Sequence, residues 1–179
     1  METEVRDKDG ISAAAMCAEM TLYWASKGKS LLEHLNDMYK EYGLFEDRAI
    51  SKYFPGVQGP KIMGGIMTKL RTEGLTSLGG KKVIKIRDIQ QQVAFDPANP
   101  SSKENLPWPK SNVLQFILEG GTIVSARPSG TEPKIKFYIN STVPVSAKTD
   151  EALEEAKKAA DKLCSDISEE INAVLNAAG

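Results

Sequence analysis

Hydrophobic and polar positions recur at two different periods along this chain, and the change of period divides it. From Ile11 onward Ala14, Ala15, Ala18, Leu22 and Ala25 return at three- and four-residue spacing. This predicts a helix, with Gly28 where a helix C-terminal glycine belongs. Ser30 and Glu33 then stand three residues apart at the head of a second stripe, Leu32, Leu35, Met38, Tyr39 and Tyr42. A serine hydroxyl and a glutamate at that spacing satisfy each other's orphaned backbone donors, so a capping box is expected, with Gly43 ending the helix. A helical hairpin of this size buries little by itself and has to lean on another surface.

From Phe45 the pattern turns to strands. Arg48 to Phe54 is a strand candidate, after which Pro55, Gly56 and Gly59 interrupt the chain and Pro60 takes the first turn of a third helix. Ile62, Met63, Ile66, Met67 and Leu70 line that helix, and Gly74 closes it. The paired Gly64 and Gly65 each cost roughly 1 kcal/mol against alanine, which predicts something packed closely against them. In Lys82 to Gln92 the residues Ile84 and Ile86 alternate with Lys85 and Arg87, the pattern of a half-buried strand. Residues 94–112 hold Pro97, Pro100, Pro107 and Pro109 among Ser, Asn and Asp, predicting a long surface loop anchored by Trp108.

Val113 to Leu118 and Thr122 to Ala126 read as strands joined at Gly120 and Gly121, whose positive φ angles suit a tight hairpin turn. Lys134 to Ile139 is a further strand with Ile135, Phe137 and Ile139 on one side. A final helix starts near Thr149 with Asp150 and Glu151 in its positive first turn, and carries the stripe Leu153, Ala156, Ala160, Leu163, Ile167, Ile171 and Val174. The expected fold class is α+β, a mostly antiparallel four-stranded sheet with two covering helices, preceded by the helical hairpin.

Composition narrows the function. Of 179 residues 41% are hydrophobic and 26% charged, an ordinary globular balance. Twenty-three Lys and Arg against twenty-four Asp and Glu leave a net charge of −1, without the footprint of a dedicated nucleic-acid binder. Two cysteines, Cys17 and Cys164, do not make a disulfide framework and are expected to be inert core thiols. His34 is expected to be solvated, and one histidine excludes a multi-histidine metal site. With no leader pattern and no apolar run of about 18 residues, a cytoplasmic chain without membrane contact is expected.

One segment concentrates chemistry: Arg127-Pro128-Ser129-Gly130-Thr131-Glu132-Pro133-Lys134. Arg127 offers bidentate charge-assisted hydrogen bonds, Ser129 and Thr131 offer hydroxyls, and Gly130 exposes backbone amides, all between two stiffening prolines. Lys134 and Lys136 add positive potential, with Glu132 opposing them. Residue chemistry alone leaves two readings open, an oxyanion-binding loop and a plain polar turn. Neither a Walker loop nor G-x-G-x-x-G occurs.

The run RPSGTEPKIKFY, Arg127 to Tyr138, resembles the phosphate-binding loop and following strand of the C-terminal domain of the α-D-phosphohexomutases, the phosphoglucomutase and phosphomannomutase superfamily. LPWPKSNVLQFILEGG just before it resembles the longer phosphoglucomutase type. VRDKDG, Val5 to Gly10, with the alanine-rich helix after it, resembles the segment following that family's sugar-recognition loop.

This resemblance implies that residues 1–43 are the helical tail of a third mutase domain and residues 44–179 a fourth domain of TATA-box-binding-protein-like fold. It implies that Arg127, Ser129, Gly130 and Thr131 grip the substrate's non-reacting phosphate, and that Lys8 and Lys134 lie near substrate. The parent would interconvert hexose 1-phosphate and hexose 6-phosphate through a bisphosphate, using Mg2+, a hexose 1,6-bisphosphate activator and the remaining mutase domains. A phosphopentomutase-type relative and a stand-alone phosphosugar-binding module are the alternatives. The T-A-S-H-N-P phosphoserine motif and the D-G-D-x-D-R magnesium loop are absent, so this chain holds no catalytic or metal residues of that family and is expected to be inactive alone.

Overall fold

The computed structural model describes residues 9–177. Its elements are α1 (Gly10–Ser26), α2 (Leu31–Tyr42), β1 (Leu44–Tyr53), α3 (Gly59–Thr72), β2 (Ser77–Leu78), β3 (Lys81–Asp88), β4 (Val93–Asp96), β5 (Asn99–Asn105), β6 (Leu114–Leu118), β7 (Ile123–Pro128), β8 (Lys134–Val143) and α4 (Asp150–Asn176). The class is the α+β expected, but the antiparallel sheet has eight strands rather than four. Their order is β1-β8-β7-β6-β3-β4-β5, with the short β2 paired to β3.

Two of the added strands come from residues 94–112, where a long loop was expected. β4 and β5 form a hairpin there. Prolines are compatible with it because Pro97 sits between the strands and Pro100 on an edge strand, where a missing N–H breaks no ladder. Ser102 Oγ accepts from Asp96 N at 3.1 Å and donates to the Asn99 carbonyl at 2.7 Å, while Asp96 Oδ1 accepts from Ala98 N at 2.8 Å. Side chains thus replace the turn chemistry that the prolines withhold.

α3 and α4 cover one face of the sheet, and the core lies between. Met67, Leu78, Phe116, Leu118, Ile135, Phe137, Ile167 and Leu175 are fully buried there. Pleating sends alternate residues to the opposite face, which no helix covers among the described residues. A register shift between Val83 and Lys85 changes the phase within β3, so Val83 and Ile86 are buried while Ile84 is exposed, against the simple alternation expected of Ile84 and Ile86. Arg48 on the edge strand β1 turns to the helix side, donating to Glu46, Asp161 and Ser165 and tying α4 to the sheet.

The caps follow from the sequence. Ser30 and Glu33 form the reciprocal capping box, and Thr149 Oγ1 accepts from Ala152 N at 3.2 Å. The positive φ angles of Gly120 and Gly121 make the β6–β7 turn. Gly59 is needed for room, since a Cβ there would lie 1.9 Å from the Phe54 carbonyl oxygen. Gly64 and Gly65 are not: nothing among the described residues lies within 4 Å of a Cβ at either, contrary to the close packing expected of them.

The helical hairpin leans unevenly. α2 packs Tyr39 against Leu44, Leu153 and Ala156, and Lys40 pairs with Asp150 at 2.6 Å. None of the seventeen residues of α1 is buried among the described residues. Two expectations fail on this account. Cys17, on α1, is exposed rather than in a core, whereas Cys164 is buried. His34 is not simply solvated, because its ring stacks on Trp24 with centroids 3.6 Å apart.

Candidate functional site

β7 and β8 bring the loop residues to one end of the uncovered face. Arg127 pairs with Lys136 and Pro128 with Ile135, and residues 129–133 close the connection. Ser129 N donates to the Lys134 carbonyl at 2.9 Å, and Lys134 N to the Glu132 carbonyl at 2.7 Å. Phe54 N donates to the Pro133 carbonyl at 2.7 Å, fixing the loop to the end of β1. Inside the loop Ser129 Oγ accepts from Thr131 N at 3.4 Å and from Glu132 N at 3.2 Å, so two amides converge on one hydroxyl.

Arg127, Ser129, Gly130 and Thr131 all line one open cavity of about 410 Å³, together with Pro128, Glu132, Lys134, Lys136 and Tyr138. Gly130 has no positive φ, and nothing among the described residues lies within 4 Å of a Cβ placed on it. Local backbone geometry therefore does not require glycine there, and the space above it is free. Lys8, the other residue that the family resemblance suggested, lies outside the described residues.

The cations divide into two groups. Lys134 Nζ sits 2.6 Å from Glu132 Oε2 and 5.4 Å from the centre of the Tyr53 ring. The hydrogen bond to Glu132 raises the Lys134 pKa above the ordinary lysine value, against a smaller opposing effect of desolvation. Arg127 and Lys136, by contrast, have no carboxylate within ion-pair distance among the described residues. A guanidinium, a second cation, two hydroxyls and convergent amides around free space suit a tetrahedral oxyanion, which accepts several charge-assisted hydrogen bonds at once.

The linear sequence did not reveal Tyr53 as a neighbour of Lys134, because only the β1–β8 register brings the two together. Among the described residues no three of His, Cys, Asp and Glu gather to hold a metal ion, so the magnesium implied by the family resemblance finds no ligand set here. No described helix is long and apolar enough to cross a membrane.

An antiparallel α+β domain with a loop of cationic and hydroxyl side chains at one end of its open face is the class defined by this geometry. Residues 69–159 match the family described as "Phosphoglucomutase/phosphomannomutase, C-terminal domain". The chain belongs to that family. A phosphoglucomutase from Staphylococcus haemolyticus is 32% identical over 139 residues, covering 78% of this chain and 25% of its own length. A phosphopentomutase from Mus musculus is 34% identical over 169 residues, covering 92% of this chain and 26% of its own. In fold the chain is similar to the open form of the exocytosis-sensitive phosphoprotein pp63/parafusin from Paramecium, at a TM-score of 0.53 and 16% identity, over 99% of this chain and 28% of that one. The chain thus spans about a quarter of the length of the relatives it matches.

Proposed function

We propose that this chain is the substrate-phosphate-binding part of a cytoplasmic phosphohexomutase that interconverts hexose 1-phosphate and hexose 6-phosphate through a bisphosphate. The observation that carries this is the convergence of Arg127, Ser129, Gly130 and Thr131 on one open cavity, with no carboxylate paired to Arg127 among the described residues. Arg127 holds the non-reacting phosphate through two guanidinium N–H groups. The Thr131 and Glu132 amides, which rest on Ser129 Oγ in the free chain, pass to phosphate oxygens, and the Ser129 and Thr131 hydroxyls donate alongside them. The space above Gly130 lets an oxygen approach the backbone. Such a site reads phosphate and not the sugar ring, which suits an intermediate that has to rebind with its ends exchanged.

Residues 1–43 then belong to the preceding domain of the parent and 44–179 to its last. The phosphoserine, the Mg2+ ligands and the sugar-selecting groups come from other mutase domains, with a hexose 1,6-bisphosphate as activator, and this chain alone has no mutase activity. The direct test is phosphate and sulfate binding by calorimetry. Arg127→Ala is expected to weaken both by about 1.5–3 kcal/mol, and unchanged binding sinks the assignment. Turnover of glucose 1-phosphate by the pure chain would overturn the division of labour.

A second reading has its own support. The mouse phosphopentomutase aligns with 92% of this chain, so a pentose phosphate is a competing substrate. Competition of ribose 5-phosphate and glucose 6-phosphate in the full-length protein decides between them.

A further inference from the structure

The uncovered face carries a row of side chains that the loop does not account for. Arg87, Gln115, Ser125 and Tyr138 are successive cross-strand neighbours on β3, β6, β7 and β8. Gln115 Nε2 donates to Ser125 Oγ at 3.2 Å, and Gln115 Oε1 lies 3.5 Å from Arg87 Nη1. The Arg87 guanidinium sits 5.6 Å from the centre of the Trp108 ring, and the Trp108 carbonyl accepts from Gln92 Nε2 at 2.7 Å. Arg87 is thus held between an aromatic ring and an amide.

Among the described residues no carboxylate pairs with Arg87, just as none pairs with Arg127 or Lys136. A guanidinium that is fixed in place, carries no counter-ion and lies on a face without a covering helix is preorganised for an anion arriving from outside. Ser125 and Arg127 are two residues apart on β7 and so share this face. Two strand spacings across and one two-residue step along put the Arg87 and Arg127 backbones roughly 12 Å apart. Two extended arginine arms across such a gap suit a hexose with an anionic group at each end.

We propose that Arg87, held by Trp108 and Gln115, is a second anion-binding residue that engages the far phosphate of a hexose bisphosphate whose near phosphate sits on the 127–131 loop. This rests on the phosphate-loop reading of Arg127 and extends it. An intermediate that has left the transfer site has both phosphates to shield. A second foothold on the same domain keeps it bound while its ends exchange.

The experiment is calorimetric titration of the 179-residue chain, at low ionic strength, with glucose 6-phosphate and with glucose 1,6-bisphosphate. Arg87→Ala is expected to weaken the bisphosphate about tenfold, the worth of one charge-assisted contact, and the monophosphate less than twofold. Arg87→Lys should recover part of the loss, and Trp108→Ala should reproduce part of it. Retained monophosphate binding certifies that each variant is folded. Unchanged bisphosphate affinity in Arg87→Ala overturns the proposal, and so does an equal loss of both ligands, which would make Arg87 part of the loop's scaffold. Arg127→Ala separates the two layers. If it weakens both ligands, the loop reading stands whatever Arg87 does, and if it weakens neither, the loop reading and this proposal fall together.

Discussion

Glu132 places its carboxylate 2.6 Å from the Lys134 ammonium, and this pair sets the charge that the loop presents. The acid neutralises the lysine beside the cavity and leaves Arg127 and Lys136 as its unpaired cations among the described residues. Glu132→Gln releases Lys134 and removes an acid from the rim. Phosphate affinity is then expected to rise about twofold to fivefold, the worth of one screened surface charge, and a fall would contradict this account. The same pair fixes a pH dependence. Lys134 has its pKa raised in the folded chain above the ordinary 10.5, so its contribution to stability is fully present below about that pH and is lost as pH rises through the raised value. The melting-temperature difference between wild type and Glu132→Gln should be flat from about pH 7 to 10 and shrink above it.

Gly130 separates a fold requirement from a binding requirement. Its φ is not positive, and a Cβ there meets nothing within 4 Å among the described residues. Gly130→Ala should change stability by no more than about 0.5–1 kcal/mol, in the stabilising direction if the backbone accepts it without strain. On the proposed function the added methyl fills the space assigned to a phosphate oxygen, so phosphate affinity should drop severalfold. Thermal melts and calorimetry on one preparation check both halves, and a stable variant with full affinity would remove Gly130 from the site.

Much of this was legible along the chain, for physical reasons. Helices announce themselves through 3.6-residue stripes and caps, and Ser30, Glu33, Pro60 and Thr149 all stand where the sequence puts them. The candidate loop is contiguous, so its four residues meet in one cavity without help from distant segments. The β4–β5 hairpin was not legible, because its prolines are harmless only at a turn and on an edge, and edge positions depend on strand order. Nor was the Arg87–Gln115–Ser125 row, which exists only through the register of β3 on the β6–β7 hairpin, a pairing distant in sequence. The irregularity after Val83 defeated the simple alternation in β3 for a similar reason, since the extra residue is defined only against β6.

The two cysteines should differ sharply in reactivity. Cys164 is buried on the core-facing side of α4, and desolvation raises its pKa above the usual 9.0, an effect that the Ser141 hydrogen bond only partly offsets. Cys17 is exposed on α1. At pH 8 a disulfide reagent should titrate one thiol in the native chain and two after denaturation, and Cys17→Ser should abolish the native reaction. Rapid labelling of Cys164 in the native chain would mean that α4 does not seal the core as described.

The hairpin makes the last prediction, because its two helices are held so differently. α2 is anchored by Tyr39 against the cluster of Leu44, Leu153, Ala156 and Ala160 and by Lys40 against Asp150, while every residue of α1 but the half-buried Trp24 is exposed among the described residues, and α1 meets α2 through contacts such as Trp24 on His34. An amphipathic helix gains most of its stability from tertiary packing, and one of seventeen residues without it is marginal in water. Amides of 10–26 should therefore exchange with deuterium within seconds to minutes in the isolated chain, those of 31–42 more slowly, and those of β6, β7 and β8 most slowly of all. In a full-length parent that supplies the rest of the preceding domain, protection of 10–26 should rise towards that of α2. Equal protection of α1 and α4 in the isolated chain would show that the first helix packs on this domain, and would count against assigning residues 1–43 to its neighbour.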